Sequence, residues 1–361
     1  MGKAHAVAYA AVGAVFETRL RPVLQTLCTT TLNGAQIKAK KFGFQHATGD
    51  WTELVADHQV DAIVIASPPQ THRDIALAAL AASKPVFCEK PLGDSLDSAR
   101  AMTAAADESG VVNMVGFNYI RTPASQLARE IIAAGEIGTI THFRGEHTEN
   151  FLANPTLPAN WRTRGMANGA MGDLAPHMIN GALALVGPIA ELTADIHTIY
   201  TKRQGKHGPE TVTNDDLGQL LCRFTNGAIG MLHFSRVAVG RKMGYAYEIT
   251  GTRGAIRFDQ EDQNSLWLCT TNAPPGRDGF TRILTSPEHP DYAAFCQGGG
   301  HGTGYQDQII IEAKDFLAAI ASGKSQWPTF RDGLAVSEVV AAAWQSHQER
   351  RWVELKEIQQ R

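Results

Sequence analysis

Two stretches of this chain bring together residue types that can move a proton at an oxygen-bearing carbon. The first is Val86-Phe87-Cys88-Glu89-Lys90-Pro91-Leu92, a short apolar run that ends in a carboxylate and an ammonium side by side before a proline. Such a run predicts a strand, so the charged pair stands at a strand's carboxyl edge. In an open parallel sheet that edge faces the crevice where ligands bind. Pro91 fixes its own φ and pushes Lys90 towards an extended conformation, which gives the amine one direction. The second stretch, Gly169-Ala-Met-Gly-Asp-Leu-Ala-Pro-His177, sets Asp173 and His177 four residues apart. On one helix they share a face, and Pro176 fits only in a first turn. A carboxylate there orients an imidazole and raises its basicity, as a general base for an alcohol proton requires. Each stretch also has a plainer reading: a solvated Glu-Lys pair at a strand end, and an N-capping Asp beside a histidine that packs on the helix surface. No third and fourth ligand with compatible spacing lies near, so no metal is expected.

The elements that must position these groups follow from the pattern of apolar residues. Residues 3–13 are rich in Ala and Val and predict a helix, 22–28 a strand, and 35–42 and 51–56 helices. Residues 60–66 are a nearly continuous β-branched run, which suits a strand buried on both faces of a parallel sheet. Ser67-Pro68-Pro69 breaks it, and helices over 72–82 and 95–108 alternate with strands at 86–92 and 111–117. That alternation specifies a doubly wound α/β domain with right-handed crossovers, ending near residue 122.

From residue 123 the grammar changes. A helix at 125–134, a strand at 138–147, a loop holding Asn154, Pro155, Pro158, Trp161 and Arg162, and a helix at 174–185 precede a series of closely spaced strands. These run over 189–200, 217–224, 228–237, 245–250, 255–258 and 265–269, with turn signals at Thr225-Asn226-Gly227 and Gly251-Thr252-Arg253-Gly254. Two helices, 307–322 and 330–346, close the chain. The expectation is an α/β, Rossmann-like domain over 1–122 and an α+β domain with a large, mostly antiparallel sheet over 123–361.

Bulk properties remove several classes of function. The 361 residues exceed one ordinary core, and 43% hydrophobic with 19% charged residues is an ordinary globular composition. A net charge of -3, with Lys and Arg scattered, offers no basic stripe to nucleic acid or to an anionic membrane. Five dispersed cysteines without a Cys-x-x-Cys spacing point to reduced thiols and a cytoplasmic location. No apolar run reaches the roughly 18 residues of a membrane span, and no signal-peptide pattern opens the chain.

A dinucleotide-binding sheet begins with a strand running into Gly-x-Gly-x-x-Gly. Here only Gly2 stands where the last glycine of such a loop belongs, ahead of the first helix. The reading therefore expects a strand and phosphate loop upstream of residue 1.

Glu89-Lys90-Pro91 at a strand end, Ser67-Pro68 with His72, Gly116-Phe117-Asn118-Tyr119, Trp161-Arg162, and Gly172-Asp173 with His177 occur in an order that resembles the Gfo/Idh/MocA family. This family takes in glucose-fructose oxidoreductase, inositol dehydrogenase and rhizopine-catabolism proteins, and the resemblance runs from Gly2 to the C-terminus. It implies a Rossmann domain followed by a C-terminal α/β domain, NAD or NADP at the sheet edge, and oxidation of a sugar or cyclitol hydroxyl. It also implies that Lys90, Asp173 and His177 are the catalytic group. Gly2, His5, Cys28, Ser67, Pro68, Pro69, His72, Glu89, Lys90, Asn118, Trp161 and Arg162 would serve the cofactor. Tyr119 and Asn160 would join Lys90, Asp173 and His177 around the substrate. The end of the second strand reads Cys28-Thr29-Thr30-Thr31, with neither a carboxylate for ribose hydroxyls nor an arginine for a 2′-phosphate, and the reading leans to NAD. A competing reading is a non-catalytic sugar-binding or regulatory protein on the same fold. The broad sheet needs covering, so a homodimer or homotetramer is expected.

Overall fold

A computed structural model describes residues 1–360. In chain order the elements are α1 (Gly2–Val15), β1 (Thr26–Cys28), α2 (Leu32–Phe42), β2 (His46–Thr48), α3 (Trp51–Ala56), β3 (Ile63–Ile65), α4 (His72–Ala81), β4 (Val86–Glu89), α5 (Leu96–Ser109) and β5 (Asn113–Gly116). Then come α6 (Pro123–Ala133), β6 (Ile140–Thr148), α7 (Ala170–Asp173), α8 (Ala175–Leu185), β7 (Ile189–His197), β8 (Lys202–Gly205), β9 (Gly208–Thr211), β10 (Leu217–Phe224) and β11 (Ile229–Ser235). The rest are β12 (Gly244–Gly251), β13 (Gly254–Asp259), β14 (Ser265–Thr270), β15 (Thr281–Leu284), α9 (Tyr305–Ser322), α10 (Phe330–Glu349), β16 (Val353–Glu354) and α11 (Leu355–Gln359). They divide into two compact units, Met1–Arg121 with Gly304–Leu334, and Thr122–Thr303 with Ala335–Arg361.

In the first unit every strand pair is parallel. β1 pairs with β2, and β3-β4-β5 form a second piece of sheet. All four residues of β4 are buried, as a strand covered on both faces must be. Helix starts follow local chemistry: the side chains of Thr31, Asp50 and Ser95 accept backbone N–H groups at the starts of α2, α3 and α5. The segment Gly304–Leu334, which the sequence reading placed in the second domain, belongs to the first unit. Two physical reasons hold it there. Phe316 and Ala319 of α9 join Phe87, Val112 and Met114 in one buried cluster. Residues 325–330 also run along β5: Ser325 Oγ accepts the Asn113 N–H at 3.1 Å, the Pro328 carbonyl accepts the Val115 N–H at 2.9 Å, and Asn113 Oδ1 accepts the Phe330 N–H at 2.8 Å. An edge strand that would otherwise present open backbone groups is thereby covered.

The second unit is built on a nine-stranded sheet in the order β15-β14-β13-β12-β6-β11-β10-β7-β16. Its pairs are antiparallel except β11 with β6. β10 alternates buried and solvent-facing residues along its length, the mark of a sheet with one face on a core. The β10–β11 hairpin turns at Gly227, whose φ of 89° suits glycine, while Asn226 Oδ1 accepts the Ala228 N–H at 3.0 Å. The short β8–β9 hairpin lacks any apolar alternation and was not foreseen.

Candidate active site

Within the first unit the candidate residues gather at the carboxyl ends of β3, β4 and β5. Ser67, Pro68 and Pro69 follow β3, Glu89 ends β4 with Lys90 and Pro91 just after it, and Asn118 and Tyr119 follow β5. His72 is fully buried and uses both ring nitrogens: Nδ1 lies 3.0 Å from the Pro91 carbonyl oxygen and Nε2 2.9 Å from that of Ser67. It therefore ties the loop after β3 to the loop after β4. Ser67 Oγ sits 2.6 Å from Thr71 Oγ1. Glu89 Oε1 lies 2.6 Å from His5 Nε2, both side chains are buried, and the His5 ring meets Phe87 edge-on at 5.0 Å. Two candidates far apart in sequence thus hold each other. Asn118 donates from Nδ2 to Gln308 Oε1 at 2.8 Å, and the Tyr119 ring stands 6.2 Å from Tyr305.

Cys28 ends β1 half-buried, and burial, with Asp50 and Glu53 nearby, raises its thiol above the usual range. It is a packing residue rather than a reactive one. Gly2 opens α1, and a Cβ there would meet nothing within 4 Å. The start of a 14-residue helix, tied to the carboxyl end of β4 through His5 and Glu89, together with polar loops on that sheet edge, fits a dinucleotide.

In the second unit the loop residues Trp161 and Arg162 come to Asp173. Arg162 donates from Nη1 to Asp173 Oδ2 at 2.6 Å, and its guanidinium lies 4.4 Å from the Trp161 ring and 5.0 Å from that of Phe151. Trp161 itself is 59% exposed. Asn160 is occupied as the cap of a short 3-10 turn, its Oδ1 accepting the Arg162 N–H at 2.8 Å. The single helix expected to carry Asp173 and His177 is broken at Leu174: α7 ends on Asp173, and α8 begins at Ala175 with Pro176 in its first turn. Proline lacks the N–H that would continue the ladder, which explains the break. His177 is buried with its ring 5.4 Å from that of His147, which lies 3.0 Å from the Leu174 carbonyl oxygen through Nδ1 and 3.2 Å from Glu149 Oε1 through Nε2.

Sequence reasoning missed the groups that fix this arrangement. Arg236 is buried and donates to Asp216 Oδ1 at 3.0 Å, to the Arg162 carbonyl at 2.6 Å, to the Asn168 carbonyl at 2.9 Å and to Asn214 Oδ1 at 2.7 Å. Asp216 Oδ2 also accepts the N–H groups of Ile199 and Tyr200 at 2.8 Å each. Asp215 Oδ2 accepts the Met171 N–H at 2.8 Å in the first turn of α7, and burial pushes its carboxyl up to about 6. Gly169 makes room for it, since a Cβ there would stand 1.9 Å from Asp215 Oδ1. The visible signal was three consecutive polar residues, Asn214-Asp215-Asp216, immediately before an apolar strand.

Comparison with known proteins bears on this geometry. Residues 1–117 match the oxidoreductase family with an NAD-binding Rossmann fold, and residues 125–257 match the GFO/IDH/MocA C-terminal domain. Levoglucosan dehydrogenase of Pseudarthrobacter phenanthrenivorans is 36% identical over 99% of this chain and 96% of its own length. The chain belongs to the Gfo/Idh/MocA family. A solved structure of levoglucosan dehydrogenase with NADH and levoglucosan superposes with a TM-score of 0.95 at 36% identity, covering 98% of this chain and 96% of that one. Myo-inositol 2-dehydrogenase of Thermotoga maritima, another relative, is 26% identical over 90% of this chain and 87% of its own length. This member of the Gfo/Idh/MocA family is thus an NAD-dependent oxidoreductase of the sugar and polyol dehydrogenase kind, acting on CH–OH groups. The comparisons lend no support to the expected upstream strand. Among the described residues no helix is long and apolar enough to cross a membrane.

Proposed function

We propose that this chain oxidises a ring hydroxyl of an anhydrohexose of the levoglucosan kind, with Lys90, Asp173 and His177 as its catalytic group. The observation that carries the reading is the 36% identity to levoglucosan dehydrogenase across 99% of the chain. NAD supplies the hydride acceptor, at C4 of its nicotinamide ring. His177 takes the hydroxyl proton as the carbinol C–H bond breaks and the C=O bond forms. Lys90, as an ammonium, donates a hydrogen bond to the same oxygen and stabilises the negative charge that develops there. Asp173 orients the base or binds a neighbouring hydroxyl, and Arg162 holds it in place at 2.6 Å. The cofactor is served by Gly2, His5, Cys28, Ser67, Pro68, Pro69, His72, Glu89, Lys90 and Asn118, with Trp161 and Arg162. Tyr119 and Asn160 stand beside the substrate.

The same reading includes a homo-oligomer, dimer or tetramer, because a cluster of exposed apolar side chains on β10 and β11 interrupts an otherwise charged outward face of the nine-stranded sheet. Leu221 and Met231, directly opposite each other on β10 and β11, are 53% and 43% exposed, and Ile229 is 54% exposed.

Absorbance at 340 nm with NAD tests the activity. Levoglucosan is expected to be turned over with a kcat/KM at least tenfold above that for myo-inositol, and Lys90→Ala to lower kcat by roughly 10²- to 10⁴-fold. A wild-type chain that oxidises no sugar or cyclitol with NAD would overturn the reading. An unchanged kcat in the variant would remove Lys90 from the mechanism.

A further inference from the structure

The returning helix α9 carries buried polar groups that no step above uses. Gln308, Ile309, Ile310, Ile311, Glu312 and Ala313 are all buried, so the helix is enclosed all round at this level, and two of those six side chains are polar. Gln308 Oε1 accepts the Asn118 Nδ2–H at 2.8 Å. Glu312 lies 3.7 Å from Arg121 Nε, while Arg121 Nη1 makes a closer ion pair with Asp315, one turn further along α9. Neither carboxylate oxygen of Glu312 has a hydrogen-bond partner among the described residues, and the buried Tyr9 hydroxyl of α1 lacks one as well. Gln306 Nε2 donates to the Ala4 carbonyl at 2.9 Å, which fixes the start of α1 against α9.

We infer that Gln308 is a positioning residue for the cofactor side of the site: it holds Asn118 in one orientation. This rests on the reading that Asn118 serves the cofactor. A leucine at Gln308 would fill the helix interface equally well, so packing alone gives no reason for an amide there. Burial, with Glu89 nearby, pushes the Glu312 carboxyl well above its usual range, against the opposing pull of Arg121. Tyr9 of α1, Glu89 of β4 and Arg121 from the segment after β5 are the charged and titratable groups that act on it.

The test is NADH affinity of the full chain, followed by fluorescence titration beside the steady-state constants. Gln308→Met keeps the volume and removes the acceptor. It is expected to raise the NADH Kd and the NAD KM about fivefold to tenfold, with kcat at saturating NAD within about twofold of wild type. Gln308→Met binding NADH like wild type overturns the inference. A general loss of stability would lower Tm without splitting KM from kcat, and that pattern also counts against it. If wild type itself binds no NADH, the cofactor reading has failed, and this inference falls with it. Normal wild-type binding with an unaltered variant defeats the inference alone.

Discussion

Asp215 is the side chain whose protonation state has the clearest physical consequence. Its carboxyl stands at about 6 in the folded chain because burial opposes the charge more strongly than the Met171 N–H bond and Arg236 favour it. A folded value above the unfolded one means that the native state holds the proton more tightly. The stability this contributes is complete below the unfolded value near 3.9 and is lost as pH rises through about 6. Asp215→Asn has no proton to lose. Between about pH 4 and pH 7, its stability relative to wild type is expected to improve by roughly 2 kcal/mol, from a shift of about two pH units at 1.36 kcal/mol each, part of which is already lost at pH 4. Urea unfolding at the two pH values measures this, and a difference that does not vary with pH would refute it. Little of this was legible in the chain: Asn214-Asp215-Asp216 looks like a solvated turn until Gly169 and the first turn of α7 are seen against it. The places of Glu89 and Lys90 were legible, because charged residues at the end of an apolar strand depart from local pattern. Gln308 and Glu312 were not, since in sequence they only interrupt an isoleucine run.

At the scale of elements, the loop that carries Trp161 and Arg162 owes its order to two buried arginines rather than to secondary structure. Arg203 donates to the carbonyls of Leu152, Asn154 and Leu157 at 2.6, 2.8 and 3.4 Å, and Arg236 does the same for Arg162 and Asn168 further along. Backbone carbonyls inside a protein must find donors, and a guanidinium supplies several in a fixed fork. Arg236→Met leaves Asp216 buried without its cation and is expected to cost about 3–5 kcal/mol of stability, read from denaturant midpoints. A loss below about 1 kcal/mol would show that the pair contributes little net stabilisation. Strands were read most accurately where one face meets a core. β10 coincides with the expected 217–224, while only Thr26–Cys28 of the expected 22–28 is strand. Pro22 has no N–H to give, and ahead of Thr26 the run meets the second strand only through the Leu24 and Gln25 carbonyls, which accept the Gln45 and His46 N–H groups, so apolar content alone overstated it. The β8–β9 hairpin escaped notice because Lys202-Arg-Gln-Gly and Gly208-Pro-Glu-Thr hold no alternating apolar face for a pattern to register.

Across the whole molecule, the proposed homo-oligomer rests on the outward face of the large sheet. Replacing Leu221 by Glu places a charge opposite Met231 in the middle of that face, and is expected to move the chain from oligomer to monomer in size-exclusion chromatography with light scattering. Wild type eluting as a monomer at micromolar concentration would refute the proposed homo-oligomer. Local periodicity found both sheets and most helices, yet it has no means of pairing residues 325–330 with Asn113 and Val115, more than two hundred positions away. That separation bears on biosynthesis. A nascent chain displays β5 early, but the residues that sheathe its margin leave the ribosome more than two hundred positions later. The first unit therefore reaches its finished state only after most of the second has been made, and until then its bare rim is where chaperones have most to guard.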